Sequence, residues 1–314
     1  MKFLVVYSID DRYLEKLRSA SPEAEVVVAN SLEETIVKVA DADAIYSPAR
    51  LAREVFLAGK KLRWVQIGGA GVEDSLYPEM IESNVILTNT SGAYDIPIAD
   101  HVFAMILCFS RGLNMFIRHQ IDGVWRGAAV NELARQTILI IGLGSIGMAV
   151  AQRASGFDMR ILAIDVMKVD KPEYVEKVIH PEKLNEVLPE ADFIAICCPL
   201  TKNTNKLIGE AEFQAMKPTA YVINPARGKI IDESAMIRAL SEKRIAGAGL
   251  DVFEQEPLPA DSPLWKMPNV IITTHSAGGS PVTGKRMMDI VCENLRRFMA
   301  GEPLMNIVNK KAGF

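Results

Sequence analysis

The chain has 314 residues, of which 49% are hydrophobic and 24% are charged, and its formal net charge is −4. This composition is ordinary for a globular protein of about two domains, and its slightly acidic balance argues against a nucleic-acid surface. No uninterrupted apolar run reaches the roughly 18 residues that span a membrane, and the short run FLVVY before Asp10 predicts a first strand rather than a secretory signal.

The first 95 residues alternate short apolar runs with amphipathic segments, which is the pattern of βα units. Because such units build parallel sheets, this part of the chain predicts an open α/β layer. Ser31 and Glu34, three residues apart, predict a capping box at the start of the second helix. Strands are predicted at 3–7, 25–29, 44–46, 64–67 and 86–87, and helices at 11–19, 32–40, 53–58 and 73–83.

A glycine-rich turn, IGGAGVEDS, follows the fourth predicted strand. Gly68, Gly69 and Gly71 expose backbone N–H groups where the chain turns into a helix, and such groups can hold a carboxylate or a phosphate. The alternative is a turn that needs glycine only for its positive φ angles.

One long helix is predicted from residue 96 to 120, with Pro97 in its first turn. Its apolar residues go most of the way round, so it should be buried and could form a subunit contact. It carries the chain from the first domain to the second. His101 and His119 lie on it and are expected to be structural, and the sequence DGVWRG after it predicts a surface turn with Trp125 tucked underneath.

A strand–turn–helix pattern with spaced glycines then opens the second half of the chain. Gly142, Gly144 and Gly147 form G-x-G-x-x-G after an apolar run, and Asp165 ends the next apolar run, 23 positions after Gly142. The glycines allow a tight turn and close backbone approach, a pyrophosphate can sit at the helix start, and the acid can bind a ribose diol. The pattern predicts dinucleotide binding. The alternatives are a strand–helix turn without a ligand and a methyltransferase with a similar loop.

The same alternation of strands and helices continues after Asp165. Four cysteines without a C-x-x-C pair predict buried, reduced thiols in a cytoplasmic protein, and no metal site is expected. The predicted segments are 174–179, a helix at 181–188, strands at 192–197, 221–224 and 246–250, a helix capped by Asp232, a last strand that ends at His275, and a helix at 281–300.

Charged side chains follow three consecutive predicted strands of this half: Arg227, then Asp251, Glu254 and Glu256, then His275. Ligands bind at the carboxyl edge of such sheets. Arginine binds carboxylates in bidentate fashion, histidine donates protons near neutral pH, and a neighbouring carboxylate orients the imidazole. Each residue could be structural, but together they predict hydride transfer on a substrate that carries a carboxylate and a ketone or hydroxyl.

The motifs GLGSIG with Asp165, CCPLTKNT, VINPARGKIIDE, GAGLDVFEQEPL and PNVIITTHSAGG resemble the D-isomer-specific 2-hydroxyacid dehydrogenase family over nearly the whole chain. The resemblance implies an α/β fold with two doubly wound parallel-sheet lobes and an active site in the cleft. It implies a flavodoxin-like substrate domain made of residues 1–98 and 285–314, a Rossmann NAD-binding domain at 99–284, and a homodimer through the long helix.

The family's residue roles carry over to matching positions. Arg227 would bind the substrate carboxylate, His275 would be the general acid in reduction, and Glu256 would pair with His275. Asp251 would hold the nicotinamide carboxamide. The other cofactor contacts would be Gly142, Gly144, Ser145, Ile146, Gly147, Asp165, Cys198, Pro199, Thr204, Pro225 and Ala226, and the substrate would also contact Gly69, Ala70 and Gly71.

The resemblance implies a 2-ketoacid reductase, with a dinucleotide-sensing binding protein or corepressor of the same fold as the alternative. Asp165 favours NAD because it would repel a 2′-phosphate, whereas Lys168 leaves NADP open. Glyoxylate, hydroxypyruvate and longer 2-keto acids all remain open as substrates. The sequence does not assign roles to Arg50, Tyr94 or Trp265.

Overall fold

The computed structural model describes residues 1–7 and 9–314 of the chain. These residues form two compact units, one made of Met1–Tyr94 with Ser280–Phe314 and the other of Asp95–Gly279. The sequence places its domain boundaries at 98–99 and 284–285. The assignment of substrate binding to the first unit and of cofactor binding to the second stays a prediction.

The first unit opens with strands and helices in regular alternation. They are β1 (Lys2–Val6), α1 (Asp11–Ala20), β2 (Glu25–Ala29), α2 (Leu32–Val39), β3 (Ala44–Ser47), α3 (Arg53–Ala58), β4 (Trp64–Ile67), α4 (Pro78–Glu82) and β5 (Ile86–Thr88). The strands form one parallel sheet in the order β2-β1-β3-β4-β5, which is the flavodoxin-like order. Two apolar clusters contain alternate side chains of these strands, so the sheet has a core on each face.

The second unit begins with two helices and continues as a longer alternation. Its elements are α5 (Asp95–Ser110), α6 (Leu113–Ile121), β6 (Thr137–Ile141), α7 (Ser145–Gly156), β7 (Arg160–Ile164), β8 (Lys177–Ile179), α8 (Leu184–Val187), β9 (Phe193–Ile196), α9 (Glu210–Ala215), β10 (Tyr221–Asn224), α10 (Glu233–Ser241), β11 (Gly247–Leu250) and β12 (Val270–Ile272). The parallel sheet runs β12-β11-β10-β9-β6-β7-β8. The order reverses between β6 and β9, which is the point where doubly wound sheets bind ligands.

The last helix, α11 (Thr283–Ala300), belongs to the first unit. Its apolar face contributes Met288, Val291 and Leu295 to the core that also contains Phe3 and Trp64. The chain therefore passes through the second unit and then returns to complete the first. The two parallel sheets with surrounding helices confirm the predicted α/β fold class of two doubly wound lobes.

Two predicted helices are broken by identifiable residues. The helix predicted at 73–83 is instead a 3-10 turn, Glu73–Ser75, followed by α4, because Pro78 favours the extended conformation seen at Tyr77 (φ −75°, ψ 161°). The helix predicted at 96–120 ends at Ser110 and restarts at Leu113 with a bend of 68°. Gly112 lies in the break with φ of 64°, a left-handed conformation that glycine adopts readily.

The burial predicted for this long helix is correct only for its first part. Much of α5 is buried, but α6 has no buried residue, and Trp125 is fully exposed rather than tucked under its turn. Among the described residues, no single helix is long and apolar enough to cross a membrane, and only the bent pair α5 and α6 together passes a test of length and composition.

Smaller differences concern short elements and a cap. The helix predicted at 181–188 is one α-helical turn, α8, between two 3-10 turns, and α9 was not predicted. Half of the predicted capping box is present, since Ser31 Oγ accepts from the N–H of Glu34 at 3.1 Å. The Glu34 carboxylate turns instead to the N–H of Asn30 at 2.6 Å.

Candidate active site

The glycine loop after β6 requires glycine at two positions for steric reasons. Gly142 has φ of 95°, and a Cβ atom there would lie 2.6 Å from the backbone nitrogen of Cys198, which follows the neighbouring strand β9. A Cβ atom on Gly147 would lie 2.1 Å from the carbonyl oxygen of Gly142. The loop between β6 and α7 therefore packs tightly against the chain that follows β9, and the first turn of α7 packs directly against the loop.

The middle glycine of the loop faces open space. A Cβ atom on Gly144 would meet nothing within 4 Å, and Gly144 is the N-cap of α7. Ser145 and Ile146 are the first two residues of α7, where backbone N–H groups point out of the end of a helix. An open cradle at a helix N-terminus fits the pyrophosphate of a dinucleotide.

The acid that follows β7 braces the same loop. One carboxylate oxygen of Asp165 accepts from the N–H of Leu143 and the other from the N–H of Met167, each at 2.8 Å. Asp165 thus has a fixed orientation beside the glycine loop and keeps lone pairs that can accept hydrogen bonds from a ribose diol.

The segment after β9 forms a hydrogen-bonded turn, and Cys198, just before it, contributes a neutral thiol. Thr204 Oγ1 donates to the carbonyl of Pro199 at 2.6 Å and accepts from the N–H of Thr201 at 2.7 Å. Burial raises the pKa of the Cys198 thiol to about 12, so this side chain stays uncharged at neutral pH. Cys198 therefore presents an uncharged side chain next to the glycine loop.

The turn after β10 presents Arg227. Asn224 shapes this turn, since its side-chain oxygen accepts from the N–H of Ala226 and its amide donates to the carbonyl of Arg227, both at 3.0 Å. Pro225 lies between them. A Cβ atom on Gly228 would lie 1.8 Å from the carbonyl carbon of Phe253, so this turn packs tightly against the chain that leaves β11.

Asp251, directly after β11, is the centre of a buried hydrogen-bond network. Its side chain is 1% exposed and accepts from the N–H groups of Ser276 and Ala277, each at 2.9 Å, and from Thr273 Oγ1 at 2.5 Å. Its carbonyl oxygen accepts from the N–H of His275 at 2.7 Å. Asp251 therefore binds the chain on both sides of His275.

His275 and Glu256 form a hydrogen-bonded pair on this edge of the sheet. His275 Nδ1 lies 2.7 Å from Glu256 Oε2, and Glu256 Oε1 accepts from the N–H of Phe253 at 3.0 Å. His275 has φ of 53°, which is uncommon for a residue other than glycine and is typical of functional sites. The pair leaves Nε2 of the imidazole available for proton transfer.

Because β10, β11 and β12 are neighbouring parallel strands, Arg227, Asp251 and His275 lie at the same edge of the sheet as the glycine loop. The structure thus brings together on one edge the residues of the second unit that the sequence singles out. Of the acids after β11, Glu254 faces away from the pair and accepts from the N–H of Glu233.

The glycine-rich turn of the first unit is held through its carbonyl groups. Thr90 Oγ1 and the Tyr94 hydroxyl both donate to the carbonyl of Gly68 at 2.6 Å, and Asn89 donates to that of Ala70 at 2.7 Å. The N–H of Thr90 donates to the carbonyl of Gly69 at 3.1 Å. Burial raises the pKa of Tyr94, so its phenol remains a donor at neutral pH.

The N–H groups of the glycine-rich turn in the first unit differ from its carbonyl groups in their hydrogen bonding. Within residues 1–7 and 9–314, the N–H groups of Gly69, Ala70 and Gly71 have no protein acceptor. Such successive donors can bind an anion such as a carboxylate. Tyr94 is therefore a support for the turn, whereas Arg50 is exposed and Trp265 is half-exposed, with its indole N–H on the carbonyl of Pro259.

Sequence reasoning missed two polar side chains at this edge, Asn224 and Thr273, and it missed the contact that His101 makes with Thr273. His101 Nε2 lies 2.9 Å from Thr273 Oγ1. Asn224 ends β10 three residues before Arg227, and Thr273 follows β12 two residues before His275. A polar residue at the end of an apolar strand, close to a candidate site residue, was the signal available in the sequence. The described residues contain no group of three or more His, Cys, Asp or Glu that could hold a metal ion.

Comparison with known proteins places this fold and site in context. The model of a family described as D-isomer specific 2-hydroxyacid dehydrogenase, NAD binding domain, matches residues 103–277. The chain is 39% identical over 286 residues to a glyoxylate reductase of Korarchaeum cryptofilum, covering 88% of this chain and 85% of the relative. It is 32% identical over 313 residues to a D-3-phosphoglycerate dehydrogenase of Archaeoglobus fulgidus, covering 98% and 59%. A D-isomer specific 2-hydroxyacid dehydrogenase from Xanthobacter autotrophicus Py2, solved with NADPH and MES, matches with a TM-score of 0.88 and 28% identity over 99% of both chains.

The fold, the glycine loop and the similarity to these proteins define an oxidoreductase that works with a nicotinamide dinucleotide. The chain belongs to the D-isomer specific 2-hydroxyacid dehydrogenase family. Its reaction is hydride transfer between that cofactor and a small 2-keto or 2-hydroxy acid. These relatives are named as reductases or dehydrogenases and give no support to the alternative of a dinucleotide-sensing corepressor.

Proposed function

We propose that the chain is an NAD-dependent reductase of a small, unphosphorylated 2-keto acid, with glyoxylate as the first candidate. The observation that carries the proposal is the pair of His275 and Glu256, 2.7 Å apart, on the same sheet edge as Arg227 and the glycine loop. A relative that is 39% identical and named glyoxylate reductase supports the choice of substrate.

The residues of the second unit divide the work by their chemistry. Arg227 binds the substrate carboxylate, since a guanidinium remains charged and matches a carboxylate with two hydrogen bonds. His275 donates a proton to the keto oxygen from Nε2, and Glu256 holds the ring in place through Nδ1. We also propose that the N–H groups of Gly69, Ala70 and Gly71 bind a substrate carboxylate.

The glycine loop fits a nicotinamide dinucleotide because Gly144 leaves an open cradle at the start of α7. When bound, the reduced nicotinamide supplies the hydride of the reaction. Ser145 and Ile146 would donate N–H groups to the pyrophosphate, and Asp251 would accept from the carboxamide. The remaining proposed contacts are Gly142, Gly147, Asp165, Cys198, Pro199, Thr204, Pro225 and Ala226.

We propose NAD rather than NADP as the preferred cofactor. Asp165 is fixed by two backbone N–H groups, so it cannot turn away from a 2′-phosphate, which it would repel. Lys168 is exposed three residues later and could offset part of that repulsion. The Xanthobacter relative was solved with NADPH, so both cofactors belong in the test.

We also propose a homodimer through the surface formed by α6 and the segment after it. This surface exposes large apolar side chains that would be costly in a monomer, and Trp125 is its most exposed member. The others are Leu113, Phe116, Ile117, Ile121 and Val124. Light scattering after size exclusion should show a dimer for the wild type and a shift toward monomer for the double variant Ile121→Glu with Trp125→Ser; a monomeric wild type would refute the proposal.

The direct test of function is a substrate panel followed by NADH or NADPH absorbance. Glyoxylate, hydroxypyruvate, a longer 2-keto acid and a phosphorylated 2-keto acid should be compared with each cofactor. We expect the highest kcat/KM for a small unphosphorylated acid with NADH. Preference for the phosphorylated acid would refute the proposed substrate class, and preference for NADPH would refute the role of Asp165.

A further inference from the structure

A second layer of side chains lies behind the His275–Glu256 pair and is linked to it by Asp251. Thr273 Oγ1 is 2.5 Å from Asp251 Oδ1, and His101 Nε2 is 2.9 Å from Thr273 Oγ1. We infer that His101 and Thr273 are positioning residues that hold His275 in its working geometry through Asp251. This inference rests on the proposed role of His275 as proton donor.

The direction of each hydrogen bond follows from the groups involved. A carboxylate is only an acceptor, so the single hydroxyl proton of Thr273 is donated to Asp251. The oxygen of Thr273 must then accept from His101, which places a proton on Nε2 of that ring. His101 thereby fixes the rotation of the Thr273 hydroxyl, and the hydroxyl fixes one oxygen of Asp251.

Asp251 transmits this orientation to His275 through the backbone. Its two oxygens accept from the N–H groups of Ser276 and Ala277, and its carbonyl accepts from the N–H of His275. Rotation of the carboxylate would pull on the two residues that follow His275. His275 itself has φ of 53°, an unfavourable conformation that persists only where its surroundings hold it.

Without the Thr273 hydroxyl, Oδ1 of the buried carboxylate would keep only the N–H of Ser276 as a partner at hydrogen-bond distance among the described residues. His101 lies 3.8 Å from the same oxygen and is too far away to replace the lost bond without moving. The carboxylate would then gain rotational freedom, and the imidazole of His275 would lose its single orientation. An ångström of misplacement of a catalytic group can cost about 100-fold in rate.

The kinetic test compares isosteric variants. Thr273→Val and His101→Leu should lower kcat by about 10- to 100-fold, whereas Thr273→Ser and His101→Gln, which keep a hydroxyl and an N–H donor, should stay within about threefold. The matched control is Thr35→Val, because Thr35 is fully buried in the first unit and its hydroxyl donates only to the carbonyl of Ser31, at 2.7 Å. It should leave kcat unchanged. His101 has 22% of its side chain exposed, so its replacement leaves no closed cavity even if Thr273→Val folds poorly.

A measurement without substrate separates this inference from the proposed function. The chain has 4 histidines, so the ring signals of His275 can be resolved by NMR and assigned with a His275→Gln variant. Thr273→Val and His101→Leu should shift or broaden the His275 signals, and Thr273→Ser and Thr35→Val should not. His275 signals identical to wild type in both Thr273→Val and His101→Leu would overturn the inference. A wild type that reduces no keto acid but shows the expected NMR changes would refute the proposed function alone.

Discussion

Both units of the molecule contain a buried polar network, and the two networks compared below differ in where they end. In the first unit, Gln66 accepts through its side-chain oxygen from Thr88 at 2.8 Å and from Asn294 at 2.9 Å, and Gln66 and Asn294 are fully buried. In the second unit, Asp251 gathers Thr273 and two backbone N–H groups. We call these the Gln66 network and the Asp251 network.

The Gln66 network is closed, because the side chains that form it with Gln66, which are Trp64, Thr88 and Asn294, are fully buried. Trp64 Nε1 donates to Thr88 and the N–H of Met305 donates to Asn294, so β4, β5 and the chain after α11 are fastened together. The Asp251 network is also buried at its centre, but it leads to His275 and Glu256, whose side chains are 51% and 36% exposed. A buried polar group must be paired in either case, but of the two networks it is the Asp251 network that leads to side chains exposed to solvent.

The largest expected effect concerns the exposed end of the Asp251 network. His275→Ala should lower kcat for keto-acid reduction by about 1,000-fold, since a general acid contributes roughly 100- to 10,000-fold. The dinucleotide should still bind, as measured by quenching of tryptophan fluorescence by NADH. The matched control is His180→Ala, because His180 is exposed at the end of β8 and should be dispensable. Equal loss in both variants would contradict the role of His275.

Replacement of its partner should have the next largest effect. Glu256→Gln should lower kcat by about 10- to 100-fold, because a neutral amide would replace the carboxylate's hydrogen bond to the imidazole with a weaker one. Glu254→Gln is the matched control, since Glu254 lies two residues away but binds the N–H of Glu233 instead of His275. Both variants should melt at nearly the wild-type temperature. Equal activity in both would show that the pair in the structure does not serve catalysis.

The strands were predictable because buried parallel strands are continuous apolar runs, as Thr137–Ile141 illustrates with all five residues buried. Helix breaks were not predictable in the same way, because the spacing of apolar residues that is typical of a helix can continue across a turn. Gly112 and Pro78 each interrupt an apolar pattern that reads as one helix, and single glycines and prolines are also tolerated near helix ends. The exposure of Trp125 was missed because its size favours burial in a single chain.

The candidate site was predictable to the extent that chemistry follows strand ends. Arg227, Asp251 and His275 come directly after predicted strands, and a parallel sheet places such residues along one edge. The supporting contacts of Thr273, His101 and Asn224 were not predictable, because they depend on side-chain directions and on a helix, α5, packed beside β11 and β10. The periodicity of apolar residues predicts neither the side-chain directions nor the packing of this helix.

The closed network should affect folding and not catalysis. Asn294→Leu would remove the amide that donates to Gln66 and would leave the partly buried N–H of Met305 without its acceptor. We expect a loss of about 2–4 kcal/mol in the free energy of unfolding, measured with urea, because two hydrogen bonds are lost and the groups left behind keep part of their desolvation cost. Asn185→Leu, at an exposed position on α8, should cost less than about 0.5 kcal/mol. A fall in kcat per folded molecule would mean that the two networks are not separate.

The smallest effect should come from Thr88, which stands between Trp64 and Gln66. Its hydroxyl accepts from Trp64 Nε1 and donates to Gln66 Oε1, both at 2.8 Å. Thr88→Val leaves the indole N–H unpaired, but Asn294 still donates to the oxygen of Gln66. We therefore expect about 1–2 kcal/mol lost in the free energy of unfolding, with Thr88→Ser restoring most of it.

Thr88→Val and Thr273→Val make the same chemical change, so they test the comparison directly: the first should lower stability at constant kcat, and the second should lower kcat far more than stability. If both variants lost stability and activity in the same proportion, the open end of the Asp251 network would carry no special role.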